Sequence, residues 1–184
     1  MMRIEKIWRP TTQQGIFRSV MEAISRPGIS RNIDGLINGC GAHRGVLAMF
    51  LDAEVSLADP QGLLNDDDWP LFQAQRSSAD KADYILCGGR DIVDFDPRLG
   101  TLSCPDQSAT LVICVDHLNE GSLELRFQGP GVDGSEEITV SGLHHSWLDR
   151  RTEWVAQFPL GADILLVDSK HVLGMPRTTR VEVL

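Results

Sequence analysis

The residue types able to do chemistry are few and poorly grouped. His144 and His145, with Asp149 four positions beyond, are the one histidine cluster, and such a set supplies metal ligands in principle. Adjacent residues point in different directions on a helix or a strand, so a shared ion is awkward and no metal site is expected. Cys104 and His117 are a thiol and an imidazole separated in sequence with no geometry implied, which leaves nucleophilic catalysis unsupported. Lys81 and Lys170, two of the three lysines, lack an apolar context that would activate an amine toward an aldehyde cofactor. GxGxxG after a strand, GK[ST], GxSxG and HExxH are all absent. No catalytic residue is therefore assigned.

Arginines carry more information. Arg18 follows Phe17 within a helical pattern that places Phe17 toward the core and Arg18 outward, and Arg26 precedes the Pro27-Gly28 turn. Arg177 and Arg180 lie in the terminal arm Met175–Val183, beside Pro176 and the hydroxyls of Thr178 and Thr179. Guanidinium forks at these four positions suit an anion or an acidic partner, and a solvated role is the alternative. The arm itself reads either as a docking edge or anion contact, or as a tied-down last strand. Phe158-Pro159-Leu160-Gly161 reads as architecture, a proline and a glycine turning a helix into a strand.

The elements that must position these groups follow from periodicity. Thr11 with Gln14 predicts a capping box, and Ile16, Phe17, Val20, Met21 and Ile24 predict the apolar stripe of the helix that follows, ended at Pro27-Gly28. A second helix is expected over Ala42–Leu51, a short strand in Ala53–Asp59, and a short helix capped by Asp68 with Pro70 in its first turn. Tyr84–Cys87, Thr110–Val115 and Ala162–Val167 are continuous apolar runs, as strands buried on both faces must be. Ser122–Phe127 alternates and reads as a more exposed strand, with Ile138–Val140 as a further short one. A helix capped by Ser146 should present Trp147, Leu148, Arg151, Trp154, Val155 and Phe158 on one side and stop at Pro159. The four residues Asp168–His171 between two apolar runs predict a hairpin. Together these give one three-layer α/β domain over residues 1–184 with a mixed sheet covered by helices.

Composition bounds the rest. The chain has 184 residues, 42% of them hydrophobic, and a net charge of -9, enough for a sizeable core without metal or disulfide staples. Residues 1–44 carry seven basic and three acidic groups, whereas residues 45–137 carry five and eighteen. An acidic middle repels a phosphate backbone, so nucleic acid is not expected as a partner, while the basic first third suits an anion or an acidic protein. No apolar run is long enough for a membrane span, and Arg3, Glu5, Lys6 and Arg9 interrupt any leader-like start. Cys40, Cys87, Cys104 and Cys114 show no CxxC spacing and fit reduced core thiols in a reducing compartment.

Gln14–Gly28 (QGIFRSVMEAISRPG), Gly100–Val115 (GTLSCPDQSATLVICV), Leu123–Val132 (LELRFQGPGV), Phe158–Leu166 (FPLGADILL) and Pro176–Val183 (PRTTRVEV) together resemble the H subunit family of the bacterial carbon-phosphorus lyase complex. The resemblance spans nearly the whole chain, and FPLG-x-D followed by PRTT is its specific part, with Asp163 at the acidic position. It implies a subunit of phosphonate catabolism that works with G, I and J subunits in coupling a phosphonate to the ribose of ATP. It also implies a homodimer in isolation and a fold similar to the large domain of PLP-dependent transferases, without PLP or its lysine. No cofactor of its own is implied, ATP being the substrate of the complex. The resemblance carries no catalytic residue over to any position of this chain, and Asp163 is expected to fix loop geometry by accepting backbone N–H bonds. Asp59–Arg90 matches least. An independent small-molecule α/β enzyme is the alternative reading, which the fold alone supports little.

Overall fold

The computed structural model describes residues 5–184, so Arg3 of the opening charge cluster lies outside the described residues. In chain order the elements are α1 (Pro10–Ser25), β1 (Arg31–Asn32), α2 (Asp34–Ile37), α3 (Ala42–Phe50), β2 (Ser56–Ala58), α4 (Trp69–Phe72), β3 (Gln75–Arg76) and β4 (Tyr84–Gly88). Then follow β5 (Thr110–Cys114), β6 (His117–Gln128), β7 (Glu136–Ser141), α5 (Ser146–Trp154), β8 (Asp163–Val167), β9 (His171–Met175) and β10 (Arg180–Val183).

The three apolar runs become adjacent parallel strands at the centre of a seven-stranded mixed sheet of order β1-β9-β8-β5-β4-β2-β3. The expected hairpin is β8–β9, antiparallel, with Ile164 opposite Met175. Period-two alternation divides the central strands between two cores. Leu86, Val112 and Leu165 face Ile16, Val20 and Val46 of the helices, while Ile85, Cys87, Leu111, Ile113, Ile164 and Leu166 face the opposite side.

That opposite side corrects one expectation. It is covered not by helices alone but by α5 and a second, three-stranded antiparallel sheet of order β10-β6-β7, through Leu125, Phe127, Ile138 and Val140. The result is a single mixed α/β domain of three layers. Gly174 allows α1 to lie directly on β9, because a Cβ there would stand 2.5 Å from the carbonyl oxygen of Ala23.

Local starts and stops also differ from the sequence reading. α1 begins at Pro10 with Arg9 at its N-cap and no side-chain capping bond, so the Thr11–Gln14 box does not form. Proline has its φ preset and lacks the N–H that a first-turn residue leaves unpaired, so the helix starts ahead of the hydroxyl. Asp68 stands at the N-cap of α4 without capping it, because its carboxylate accepts from Arg44 at 2.6 Å. Ser146 is the first residue of α5, not its cap. The helix ends at Trp154, before Pro159, so Phe158 leaves the buried line of Trp147, Leu148, Arg151 and Trp154 and is 67% exposed. Phe17 and Met21 are likewise 48% and 47% exposed, the core side of α1 being Thr12, Ile16, Val20 and Ala23.

Candidate functional site

Parallel strands direct all their carboxyl ends one way, and a crevice opens where successive connections leave in opposite directions. Here that reversal falls at β2, between β3 and β4, two strands away from the β5–β8 pair that borders the cleft. The cleft, of about 370 Å³, lies at the carboxyl ends of β5 and β8 and is lined by Gly41 and His43 at the start of α3, Leu63, Cys114 and Val115 at the end of β5, and Val167, Asp168 and Ser169 at the end of β8.

The polar groups in this cleft do not form a reacting set. Burial, and then the neighbouring Arg44 charge, push the His43 pKa below its usual value, so the imidazole is neutral at pH 7. Burial pushes the Cys114 thiol up to about 12, which removes the thiolate a nucleophile needs. Burial also opposes ionisation of Asp168, but the amides of Leu118, Lys170 and His171 and the His171 ring donate to it and hold it below the ordinary carboxylate value. His171 Nδ1 lies 3.0 Å from Asp168 Oδ2, and Nε2 lies 3.1 Å from the amide nitrogen of Asn32. With Asn32 donating, Nε2 is the acceptor and Nδ1 carries the proton, an assignment made from the network. Asp168, His171 and Asn32 thus tie the β8–β9 turn to β1, and the ring nitrogen that a general base would use is occupied.

The sequence-derived candidates fall elsewhere. At the amino end of the central strands, Arg177 directs its five side-chain N–H groups inward, to Asp163 Oδ1 at 3.3 Å and Oδ2 at 2.7 Å, the carbonyls of Pro105 at 2.9 Å and Pro159 at 3.3 Å, and Ser108 Oγ. Asp163 Oδ1 also accepts the backbone N–H of Arg177 at 2.8 Å. In place of the free donor expected at Arg177 stands a clamp joining Gly100–Pro105, Phe158–Gly161 and Pro176–Thr179, and it leaves no N–H for an anion. Gly161 belongs to the same knot, donating to the Leu99 carbonyl at 3.1 Å with a φ of +144°.

Arg151, which sequence reasoning placed only on a helix side, is a second member of this architecture. It is 3% exposed and donates to the carbonyls of Pro176 at 2.8 Å and Thr179 at 2.7 Å. Burial lowers its pKa to about 10 despite the opposing charge of Asp163. Thr179 is buried and Thr178 exposed. An arginine on an otherwise apolar helix side was the one available signal for this role.

Arg18 and Arg26 lie exposed on and just after α1, and neither has a carboxylate partner among the described residues. Pro27 and Gly28 are buried beneath them, and Gly28 has φ +91° with its Cβ position 2.6 Å from Glu136 Cβ, so only glycine fits. Arg180 is exposed on β10 and pairs with Glu182 at 2.6 Å. The four arginines therefore do not act as one group.

His144 and His145 have ring centroids 4.2 Å apart, and His144 Nδ1 meets Ser146 Oγ at 2.9 Å ahead of α5. Among the described residues, no group of three or more His, Cys, Asp or Glu side chains is arranged to hold a metal ion. No helix among them is long and apolar enough to cross a membrane. Cys104 and His117 lie beyond opposite ends of β5, about 17 Å of strand apart, and are no catalytic pair.

Comparison with known proteins accords with this geometry. The family described as bacterial phosphonate metabolism protein (PhnH) matches residues 6–182. A putative C-P lyase subunit protein HtxG from Stutzerimonas stutzeri is 37% identical over 179 residues, covering 97% of this chain and 90% of that protein. The alpha-D-ribose 1-methylphosphonate 5-triphosphate synthase subunit PhnH from Rhizobium meliloti (strain 1021) is 32% identical over 180 residues, covering 92% and 90%. With the match running from the first turn to the last strand, and the FPLG and PRTT stretches joined in the fold by Asp163 and Arg177, this chain belongs to the PhnH family of bacterial phosphonate metabolism proteins.

Proposed function

We propose that this chain is a subunit of a carbon-phosphorus lyase complex, required for forming alpha-D-ribose 1-methylphosphonate 5-triphosphate from ATP and a phosphonate, and that it supplies binding surface while other subunits supply the reactive groups. The observation that carries the reading is the alignment over 92% of the chain with a relative named as a subunit of that synthase. The carboxyl-end cleft supports it from the chemical side, since its thiol is raised, its imidazole neutral and its aspartate held by backbone amides.

The partners in this proposal are G, I and J subunits, the isolated form is a homodimer, and the compartment is the cytoplasm. ATP enters as a substrate of the complex, with no cofactor held by this subunit. The likeness to the large domain of PLP-dependent transferases belongs to the same proposal; what supports it is the mixed sheet with parallel central strands, and Lys81 and Lys170 are both exposed.

Co-expression with tagged G, I and J subunits tests the reading. A multi-subunit complex containing this chain, active on ATP and methylphosphonate only when the chain is present, is the expected result; soluble partners recovered without it refute the proposal. The second reading, an independent small-molecule enzyme, draws on the cleft of about 370 Å³ beside His43. Turnover by the isolated chain, abolished by His43→Ala, would establish it instead.

A further inference from the structure

The three-stranded sheet ends in an unpaired strand. In the order β10-β6-β7 the outer strands are β10 and β7, and β7 has no strand beyond it. Leu184 donates to the Glu124 carbonyl at 3.0 Å, so Glu124, Arg126 and Gln128 turn their main-chain groups toward β10. Leu125 and Phe127 then turn theirs toward β7, where they oppose Ile138 and Glu136. The remaining residues of that stretch, Glu137 and Thr139, direct their N–H and C=O groups to the free edge, and nothing outside the sheet meets them among the described residues. The edge of β10 is less open, because Arg151 of α5 donates to the Thr179 carbonyl just before its first residue.

Side chains around this edge are acidic. His117–Ser141 carries five acids against one arginine, Arg126, which pairs with Glu137 at 2.8 Å. Glu120, Glu124, Asp133 and Glu136 have no cationic partner among the described residues. Beside the edge, on the solvent face of the sheet, lies a pocket of about 190 Å³ lined by Asn119, Glu124, Glu137, Ile138 and Thr139. The β6 bulge between Leu118 and Leu123, with Asn119 at φ +71°, forms one wall of it. Glu124 stands directly opposite Thr139, so an unpaired carboxylate sits one strand in from the free main-chain groups.

We infer that the free edge of β7 receives an extended segment of a partner protein as a fourth strand, Glu137 and Thr139 making the main-chain bonds and a lysine or arginine of that segment entering the pocket beside Glu124. An added strand turns alternate side chains to the solvent face, which sets one of them next to Glu137 and Thr139 and within reach of Glu124. A second copy of this chain fits less well, because pairing two β7 edges brings one acidic strand against another. Nucleic acid is repelled by the same carboxylates. The inference rests on the proposed membership of a multi-subunit complex and names the edge at which a partner strand joins this chain.

The test follows amide hydrogen exchange of the wild type, free and bound to the tagged G, I and J assembly, and the retention on that assembly of Thr139→Pro, Glu124→Lys and the exposed, remote charge reversal Glu54→Lys. Each variant is also checked by circular dichroism, melting and sizing. In the free chain the Glu137 and Thr139 amides should exchange faster than that of Ile138, which faces β6, and binding should slow both by about tenfold or more. Thr139→Pro removes an outward N–H, a change that edge strands accommodate, and Glu124→Lys reverses the charge of the pocket. Both should bind about tenfold more weakly or worse, with Glu54→Lys retained at the wild-type level. Unslowed exchange at Glu137 and Thr139 in the complex overturns the inference, as does wild-type retention of both folded variants. Protection that develops in the isolated chain as its concentration rises assigns the edge to a second copy and overturns it too. Should Thr139→Pro fail to fold, exchange and Glu124→Lys decide. Failure of the wild type to bind the assembly refutes the proposed function and this inference with it, whereas a bound wild type whose β7 edge still exchanges freely refutes the inference alone.

Discussion

Arg177 separates an architectural clamp from an anion contact, and the two roles respond oppositely to a conservative change. Five side-chain hydrogen bonds reach the Pro105–Ser108 segment, the Pro159 carbonyl and Asp163 at the start of β8, and the Arg177–Asp163 pair, 2.7 Å between Nη2 and Oδ2, is largely withdrawn from water on the arginine side. Net contributions of about 1.5–3 kcal/mol per charged hydrogen bond are not additive, and removing one member of a largely buried pair costs about 3–5 kcal/mol. Asp163 keeps part of its surface in solvent, so the lower end, about 3 kcal/mol, is expected for Arg177→Ala. In a domain of this size that corresponds to a fall in Tm of about 6–12 °C. Urea unfolding of the isolated chain measures it. Arg177→Lys keeps the charge but replaces a planar fork by a compact ammonium, which cannot reach Asp163, Pro105 and Pro159 together, so it should recover less than half of the loss. An Ala variant within about 0.5 kcal/mol of the wild type, or a Lys variant restored to within that margin, refutes the clamp.

Other perturbations have equally definite outcomes. Gly174→Val should destabilise by about 2–3 kcal/mol in urea unfolding, because its Cβ would meet the α1 backbone at Ala23, which cannot yield as a flexible side chain can. His43 is neutral in the fold with its pKa depressed, so the unfolded chain binds more protons below about pH 6.5; stability should fall as pH drops through that region, and His43→Gln should flatten this part of the pH profile. Arg151→Ala should cost about 3 kcal/mol by leaving the buried Thr179 carbonyl without its side-chain donor and removing one of the two donors to the Pro176 carbonyl, and it should increase amide exchange in β10 before the central strands. In thiol titration of the native protein Cys87 should react last, since it is buried and burial raises its pKa strongly.

The sequence made the central sheet legible because strands covered on both faces leave a signal with no polar interruption. Tyr84–Cys87, Thr110–Val115 and Ala162–Val167 needed no tertiary knowledge. What lay over the second face was not legible. Leu123, Leu125 and Phe127 alternate in the same way whether a strand covers a larger sheet or stands at its edge. The candidate site was less legible still. The cleft residues Gly41, His43, Leu63, Cys114 and Asp168 are brought together only by strand order, and no local spacing records that order. Arg177 was singled out as a donor for an anion or a partner, but the sequence could not show that Pro105 and Ser108, some seventy positions away, would take its N–H groups.

The misplacement of Phe17 has a different origin. A helical wheel states which residues are neighbours, not where the boundary with solvent runs, and an apolar arc of about 140° permits more than one seating on a sheet. Gly174 resolves the choice, because the helix backbone can approach the sheet only where Ala23 passes over that glycine, and this seating turns Ile16 and Val20 inward. Phe17 and Met21 then lie outside the protein's own core as a consequence of close packing, not of a deficiency in it. The two positions should therefore respond differently. Gly174→Val should lower stability by pushing α1 outward, whereas Phe17→Ala should leave stability within about 0.5 kcal/mol. A large loss of stability from Phe17→Ala would place that ring in the core after all and refute this seating of α1.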